Sequence, residues 1–126
     1  MAGKQILVVD DSQTVRVLVE RILTSAGFDV VIARDGFEGL EKITSETKLV
    51  VLDVNMPELD GYGFCEKLNS MSKDYEQLPI VFLTSIESKA LELLGRQFGA
   101  YLNKPVSKDK LLAAVDDLLS RTEATV

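Results

Sequence analysis

Four consecutive aliphatic residues, Leu49-Val50-Val51-Leu52, run straight into a carboxylate, Asp53, and the chain then turns through Pro57 and Gly61. An apolar run this short, bounded by turn residues, fits a strand buried on both faces of a parallel sheet. Asp53 then stands at the carboxyl end of a central strand, where open α/β sheets gather their ligands. Two other runs end in the same way. Ile6-Leu7-Val8-Val9 leads to Asp10-Asp11, and Ile80-Val81-Phe82-Leu83 leads to Thr84-Ser85. Three acids, a hydroxyl and a later lysine, Lys104, on one rim are more than a fold requires.

The rest of the chain alternates strand and helix. Strands are expected at Gln5 to Val9, Asp29 to Ala33, Leu49 to Asp53, Ile80 to Leu83 and Ala100 to Asn103. Ser12 can cap a first helix in which Val15, Leu18, Val19, Ile22, Leu23 and Ala26 share a face, closed by Gly27. Asp35-Gly36 opens a second helix carrying Phe37, Leu40 and Ile43. A third, Tyr62 to Ser70, turns Phe64, Cys65 and Leu68 inward, and a fourth spans about Ser88 to Phe98. Ser107 caps the last, whose stripe is Leu111, Leu112, Val115, Leu118 and Leu119. Five such units predict a doubly wound five-stranded parallel sheet of the α/β class, with five helices on its two faces. The 126 residues are expected to form one domain.

Bulk properties exclude several functions. The net charge of −6 disfavours nucleic-acid binding, which needs clustered Lys and Arg. No apolar stretch approaches the ~18 residues of a membrane span, and no signal peptide precedes Gln5, so a cytoplasmic location is expected. The single cysteine, Cys65, suits a reducing compartment. With no histidine in the chain, a histidine base is excluded and a zinc site disfavoured.

Asp10, Asp11 and Asp53 on one rim would repel unless a hard cation joined them. Magnesium, or manganese, takes oxygen ligands and retains waters and phosphate oxygens. Thr84 and Lys104 could hold the remaining oxygens of a phosphoryl group, leaving Asp53 as a nucleophile that forms an acyl phosphate. Each piece alone has a plainer explanation. The Asp pair can be a capping turn, Thr84 a helix cap and Lys104 a solvated lysine before Pro105. Asp53 resists such a reading, because a buried carboxylate needs a partner.

Taken together, Val8-Val9-Asp10-Asp11-Ser12, Leu52-Asp53-Val54-Asn55-Met56-Pro57-Glu58-Leu59-Asp60-Gly61, Leu83-Thr84-Ser85 and Tyr101-Leu102-Asn103-Lys104-Pro105 resemble the receiver domain of two-component response regulators. The likeness runs from about Gln5 to Leu119. It implies the flavodoxin-like strand order 2-1-3-4-5 and a phosphorylation-dependent switch, not a turnover enzyme, with at most slow self-phosphorylation from small donors and autodephosphorylation. By the same resemblance Asp53 takes phosphate from a sensor histidine kinase or a histidine phosphotransfer protein. Asp10, Asp11, Asp53 and the Asn55 carbonyl bind Mg2+ or Mn2+. Thr84 and Lys104 contact the phosphoryl group, Tyr101 swings as Thr84 moves, and Lys104-Pro105 is a cis peptide. Read from its residues alone, Tyr101 is an edge-strand aromatic with its hydroxyl in water. A downstream target protein would read the face made by the predicted fourth helix, the fifth strand and the final helix.

The sequence departs from the family pattern on that face. Gly99-Ala100 runs directly into Tyr101 where receivers commonly carry two further residues, and Val106 stands where Phe is frequent. Val17 lies opposite the buried stripe of the first helix, among Gln13, Glu20 and Arg21. It is either an isolated exposed aliphatic or a docking contact for the phosphodonor. Two other functions share these acids. A phosphatase working through an aspartyl phosphate would carry a second acid two residues after Asp53, where Asn55 stands. A receiver fold that takes no phosphate would have no use for the complete set of five site residues.

Overall fold

The structure, a computed structural model, describes residues 3–54, 59–71, 78–85 and 99–124. Five parallel strands, β1 (Gln5–Val9), β2 (Asp29–Ala33), β3 (Thr47–Asp53), β4 (Ile80–Thr84) and β5 (Gly99–Asn103), form one sheet in the order β2-β1-β3-β4-β5. Four helices lie among the described residues: α1 (Gln13–Ser25), α2 (Gly36–Lys42), α3 (Gly61–Met71) and α4 (Lys108–Ala124). The helix expected over Ser88 to Phe98 falls outside them. No helix among the described residues is long and apolar enough to cross a membrane.

The strands read as unbroken aliphatic runs because both faces are covered. Side chains alternate across a strand, so each run feeds two cores. Leu7, Val9, Val50, Leu52, Ile80 and Phe82 pack with Phe64, Cys65 and Leu68 of α3. Ile6, Val8, Leu49, Val51, Val81 and Leu83 pack with Val19, Ile22 and Leu23 of α1 and Leu111, Val115, Leu118 and Leu119 of α4. Burial pushes the Cys65 thiol up to about 12, with the Asp60 charge adding to it.

Local signals set the helix ends. Ser12 caps α1, its hydroxyl accepting from the Val15 amide at 3.3 Å, and Asp35 caps α2, accepting from the Glu38 amide at 2.8 Å. Gly27, at φ 96°, closes α1, with Gly27 N–H donating to Thr24 O and Phe28 N–H to Leu23 O. Four expectations need correction. Leu18 is 41% exposed and Ala26 is exposed. Leu18 sits at the flank of the α1 stripe, and Ala26 is the C-cap, where the chain leaves the helical turn. Phe37 is 46% exposed because α2 buries its glycine side instead. A Cβ at Gly39 would lie 2.9 Å from Val9 Cγ2 and one at Gly36 2.9 Å from Leu59 Cδ2. Finally, β3 begins at Thr47, two residues before the aliphatic run, because the Thr47 hydroxyl donates to Gln5 Oε1 at 3.1 Å.

The short approach to Tyr101 works through Gly99. Gly99 pairs with Ile80, and a Cβ there would come within 2.2 Å of the Ile80 carbonyl oxygen and 2.9 Å of its nitrogen. Main chain sits where a side chain would begin. Gly99→Val is expected to lower stability by about 2–4 kcal/mol, since the overlap is with backbone and no rotamer relieves it. Chemical denaturation checks this; an unchanged midpoint would mean that β5 enters the sheet differently.

Candidate functional site

Alternation along the strands brings the site together. On β3, Leu49 and Val51 face the α1/α4 core, so Asp53 continues on that side. On β1, Ile6 and Val8 do the same, and Asp10 follows them; on β5, Ala100 and Leu102 do so, and Lys104 follows. Three residues far apart in sequence therefore converge above one face. The Lys104 ammonium lies 3.0 Å from Asp10 Oδ2 and 3.5 Å from Asp53 Oδ1. Asp10 and Asp53 are buried, and Asp11 is exposed at the open side. One oxygen from each of the three acids lies within 4.8 Å of the others.

The surrounding chain holds these groups by backbone bonds. The Asp10 amide donates to Ala33 O at 3.2 Å, tying the turn to β2, and Asp10 Oδ1 accepts from the Ser12 amide at 2.8 Å. Beyond Asp53, the Val54 amide donates to Leu83 O and Gly61 N–H donates to Val54 O, each at 3.0 Å. A Cβ on Gly61 would stand 3.0 Å from Val54 Cα, so glycine lets α3 start hard against the end of β3. The Lys104 amide donates to Thr84 O at 2.7 Å, and the Lys104-Pro105 peptide is cis.

Electrostatics at the site are unbalanced. Burial opposes the charge on Lys104, but the pull of the Asp10 carboxylate, then that of Asp53, outweighs it and raises its pKa. Among the described residues one ammonium stands against three carboxylates. Asp10 Oδ2 is buried and accepts no hydrogen bond; the ammonium 3.0 Å away meets it as a charge, outside hydrogen-bonding alignment. A buried anionic oxygen without a hydrogen bond, two further carboxylates and an all-oxygen donor set fit a hard divalent cation such as Mg2+ or Mn2+, and not zinc.

The other expected residues fall as follows. Thr84 is buried at the end of β4, and Tyr101, paired in register with Phe82, is half-buried against the α3-side core and not an aromatic lying free in water. Both continue the opposite side of the sheet from Asp53. Asn55 lies outside the described residues. Val17 is 37% exposed on α1, beside the equally exposed Leu18, in a shallow groove with Gln13, Thr14 and Arg21. Sequence reasoning passed over Arg16, whose guanidinium donates to Asp10 O at 2.7 Å. The only available signal was its place one turn beyond the Ser12 cap, which folds it back over the Asp10 turn.

Residues 6–116 match the sequence model of the response regulator receiver domain. The chain belongs to that family. This receiver is 44% identical over 123 residues to ycf27 of Cyanophora paradoxa, described as a probable transcriptional regulator, covering 95% of this chain and 50% of the relative. Against protein PilG of Pseudomonas aeruginosa the identity is 37% over 116 residues, covering 90% of this chain and 85% of PilG. The receiver thus spans about half the length of the first relative and most of the second. Among solved structures, chemotaxis protein CheY4 of Vibrio cholerae superposes with a TM-score of 0.84 at 32% identity, over 93% of this chain and 99% of that one.

Proposed function

We propose that this receiver is a phosphorylation-dependent switch that accepts a phosphoryl group on Asp53 from a sensor histidine kinase or a histidine phosphotransfer protein. The observation that carries the reading is the meeting of Asp53 with Lys104 and two further acids at one strand rim. The Asp53 carboxylate forms a bond to phosphorus as the bond between phosphorus and the donor's imidazole nitrogen breaks, that nitrogen keeping the electron pair. Asp10, Asp11, Asp53 and the Asn55 carbonyl would hold Mg2+ or Mn2+, which when bound supplies charge neutralisation for the phosphoryl oxygens. Lys104, already between Asp10 and Asp53, binds one of those oxygens as a point charge. The Thr84 hydroxyl takes another.

Thr84 and Tyr101 share one side of the sheet, so a shift of Thr84 toward the new group leaves room that Tyr101 can fill. That movement would be read by a target protein on the face of the predicted fourth helix, β5 and α4. The phosphodonor would dock along α1 at Val17. The chain acts as one signalling domain in the cytoplasm, with no nucleic-acid contact or membrane insertion of its own, and any catalysis is confined to self-phosphorylation and autodephosphorylation. Intact-protein mass after incubation with acetyl phosphate tests the chemistry. The expected result is a gain of one phosphate that needs Mg2+ and disappears with EDTA or in Asp53→Asn. Phosphate on the Asp53→Asn chain, or no gain with Mg2+ demonstrably bound, would remove this reading.

A further inference from the structure

We infer that Arg16 is a positioning residue for the cation site, acting through the main chain of Asp10. The inference rests on the cation-binding reading above and extends it to a residue outside the acidic cluster.

Asp10 is fully buried and is fixed at three points. Its amide reaches Ala33 O on β2, its Oδ1 takes the Ser12 amide, and its carbonyl takes Arg16 Nη1 at 2.7 Å. With these bonds made, Oδ2 is left facing Lys104 and the neighbouring carboxylates, without a hydrogen bond of its own. The first two bonds are supplied by backbone donors or acceptors next to the turn. The third comes from a side chain six residues on, and it ties the Asp10 carbonyl to α1 beyond the Ser12 cap.

Nothing else among the described residues claims Arg16. It is half-buried and lines a cleft of about 260 Å³ with Ala33, Arg34, Glu38 and Lys42. The carboxylate in that cleft is engaged elsewhere: Glu38 accepts from the Arg34 amide at 3.1 Å and pairs with Arg34 Nε at 3.2 Å and Lys42 Nζ at 3.4 Å. No described carboxylate forms an ion pair with Arg16. A guanidinium spent on a backbone carbonyl fixes geometry, because its planar fork loses little freedom per bond.

The two possible roles of Arg16 predict opposite signs. As a mere neighbouring charge, its removal would strengthen binding of a divalent cation by lifting repulsion. As a clamp, its removal lets the Asp10 turn move and weakens binding. Groups that orient metal ligands are worth about 10–100-fold in metal affinity. The effect here passes through one turn of backbone, so about 10-fold is expected.

The test is Mg2+ titration of the unphosphorylated protein, followed by amide chemical shifts, on the wild type, Arg16→Met and Arg16→Lys. Methionine keeps the aliphatic stem and removes the donors; lysine keeps a charged donor with poorer reach. The expected order of affinity is wild type, then Arg16→Lys, then Arg16→Met, with faster Ser12 amide exchange in Arg16→Met without any metal. An Arg16→Met chain that binds Mg2+ as well as or better than the wild type overturns the clamp and leaves the cation site standing. Absence of Mg2+ binding by the wild type overturns the cation site itself, and the clamp with it. Should Arg16→Met not fold, Arg16→Lys decides: weaker binding than wild type supports the clamp, and equal or tighter binding discards it.

Discussion

Lys104→Met is expected to cost about 3 kcal/mol in magnesium-free buffer, the lower end of what breaking a buried ion pair costs. The lower end applies because the Lys104 side chain is 19% exposed, while Asp10 is fully buried. Methionine keeps the stem and removes the ammonium, so Asp10 Oδ2 and Asp53 Oδ1 lose the cation 3.0 Å and 3.5 Å away. Because Asp10 Oδ2 accepts no hydrogen bond, nothing else offsets its burial. For a chain of this size the thermal midpoint should fall by roughly 10 °C. Added Mg2+ should restore part of the loss by returning positive charge to the same oxygens.

The pH dependence of this difference has a definite sign. The pKa of Lys104 is raised in the folded protein, chiefly by Asp10 and Asp53 acting against the cost of burial. A raised cationic group contributes stability that is fully present below its unfolded value, 10.5, and is lost as pH rises through the folded value. The gap between wild type and Lys104→Met should therefore be flat across neutral pH and close only above about pH 10.5. Denaturant midpoints from pH 6 to 11, taken here as roughly the usable window, measure it. A gap already closing near neutrality would mean that Lys104 is not the counter-ion of the two buried acids.

Asp53→Asn should act in the opposite direction on stability while abolishing the function proposed for that carboxylate. Asp53 is buried beside Asp10 and the exposed Asp11, one oxygen of each within 4.8 Å of the others, with the Lys104 ammonium as the cation among the described residues. Asparagine keeps the shape, relieves the repulsion from Asp10 and Asp11, removes one desolvated charge, and forfeits the attraction to Lys104 at 3.5 Å. The balance favours the variant by about 1 kcal/mol without metal, a rise of a few degrees in midpoint. Mg2+ should then raise the wild-type midpoint but barely move that of Asp53→Asn. A variant less stable than the wild type in EDTA would show that Asp53 is held by favourable contacts that outweigh the crowding of charge.

How much of this was legible beforehand differs from residue to residue. The sequence by itself determined β1, β3 and β4, because aliphatic runs ending at carboxylates or a threonine have few other places to go than a two-sided parallel sheet. It also determined which residues of its own strand each of Asp10, Asp53 and Lys104 follows in alternation, since a period of two is fixed by the chain. The caps at Ser12 and Asp35 and the stop at Gly27 were equally local, each set by one side-chain oxygen or one positive φ.

Tertiary structure alone decided what covers what. Leu18 and Phe37 had the spacing of core residues and are exposed, because burial depends on the element packed against a face and not on periodicity. For α2 the buried face is glycine, chosen by the space that Val9, Phe64 and Leu59 leave. The early start of β3 needed Gln5, a residue 42 positions away, to meet Thr47. The hold of Arg16 on Asp10 became visible only once α1 had folded back over the turn that precedes it. Local chemistry ends at the reach of one helical turn or one strand repeat; beyond that, the packing of distant segments sets each side chain's partners.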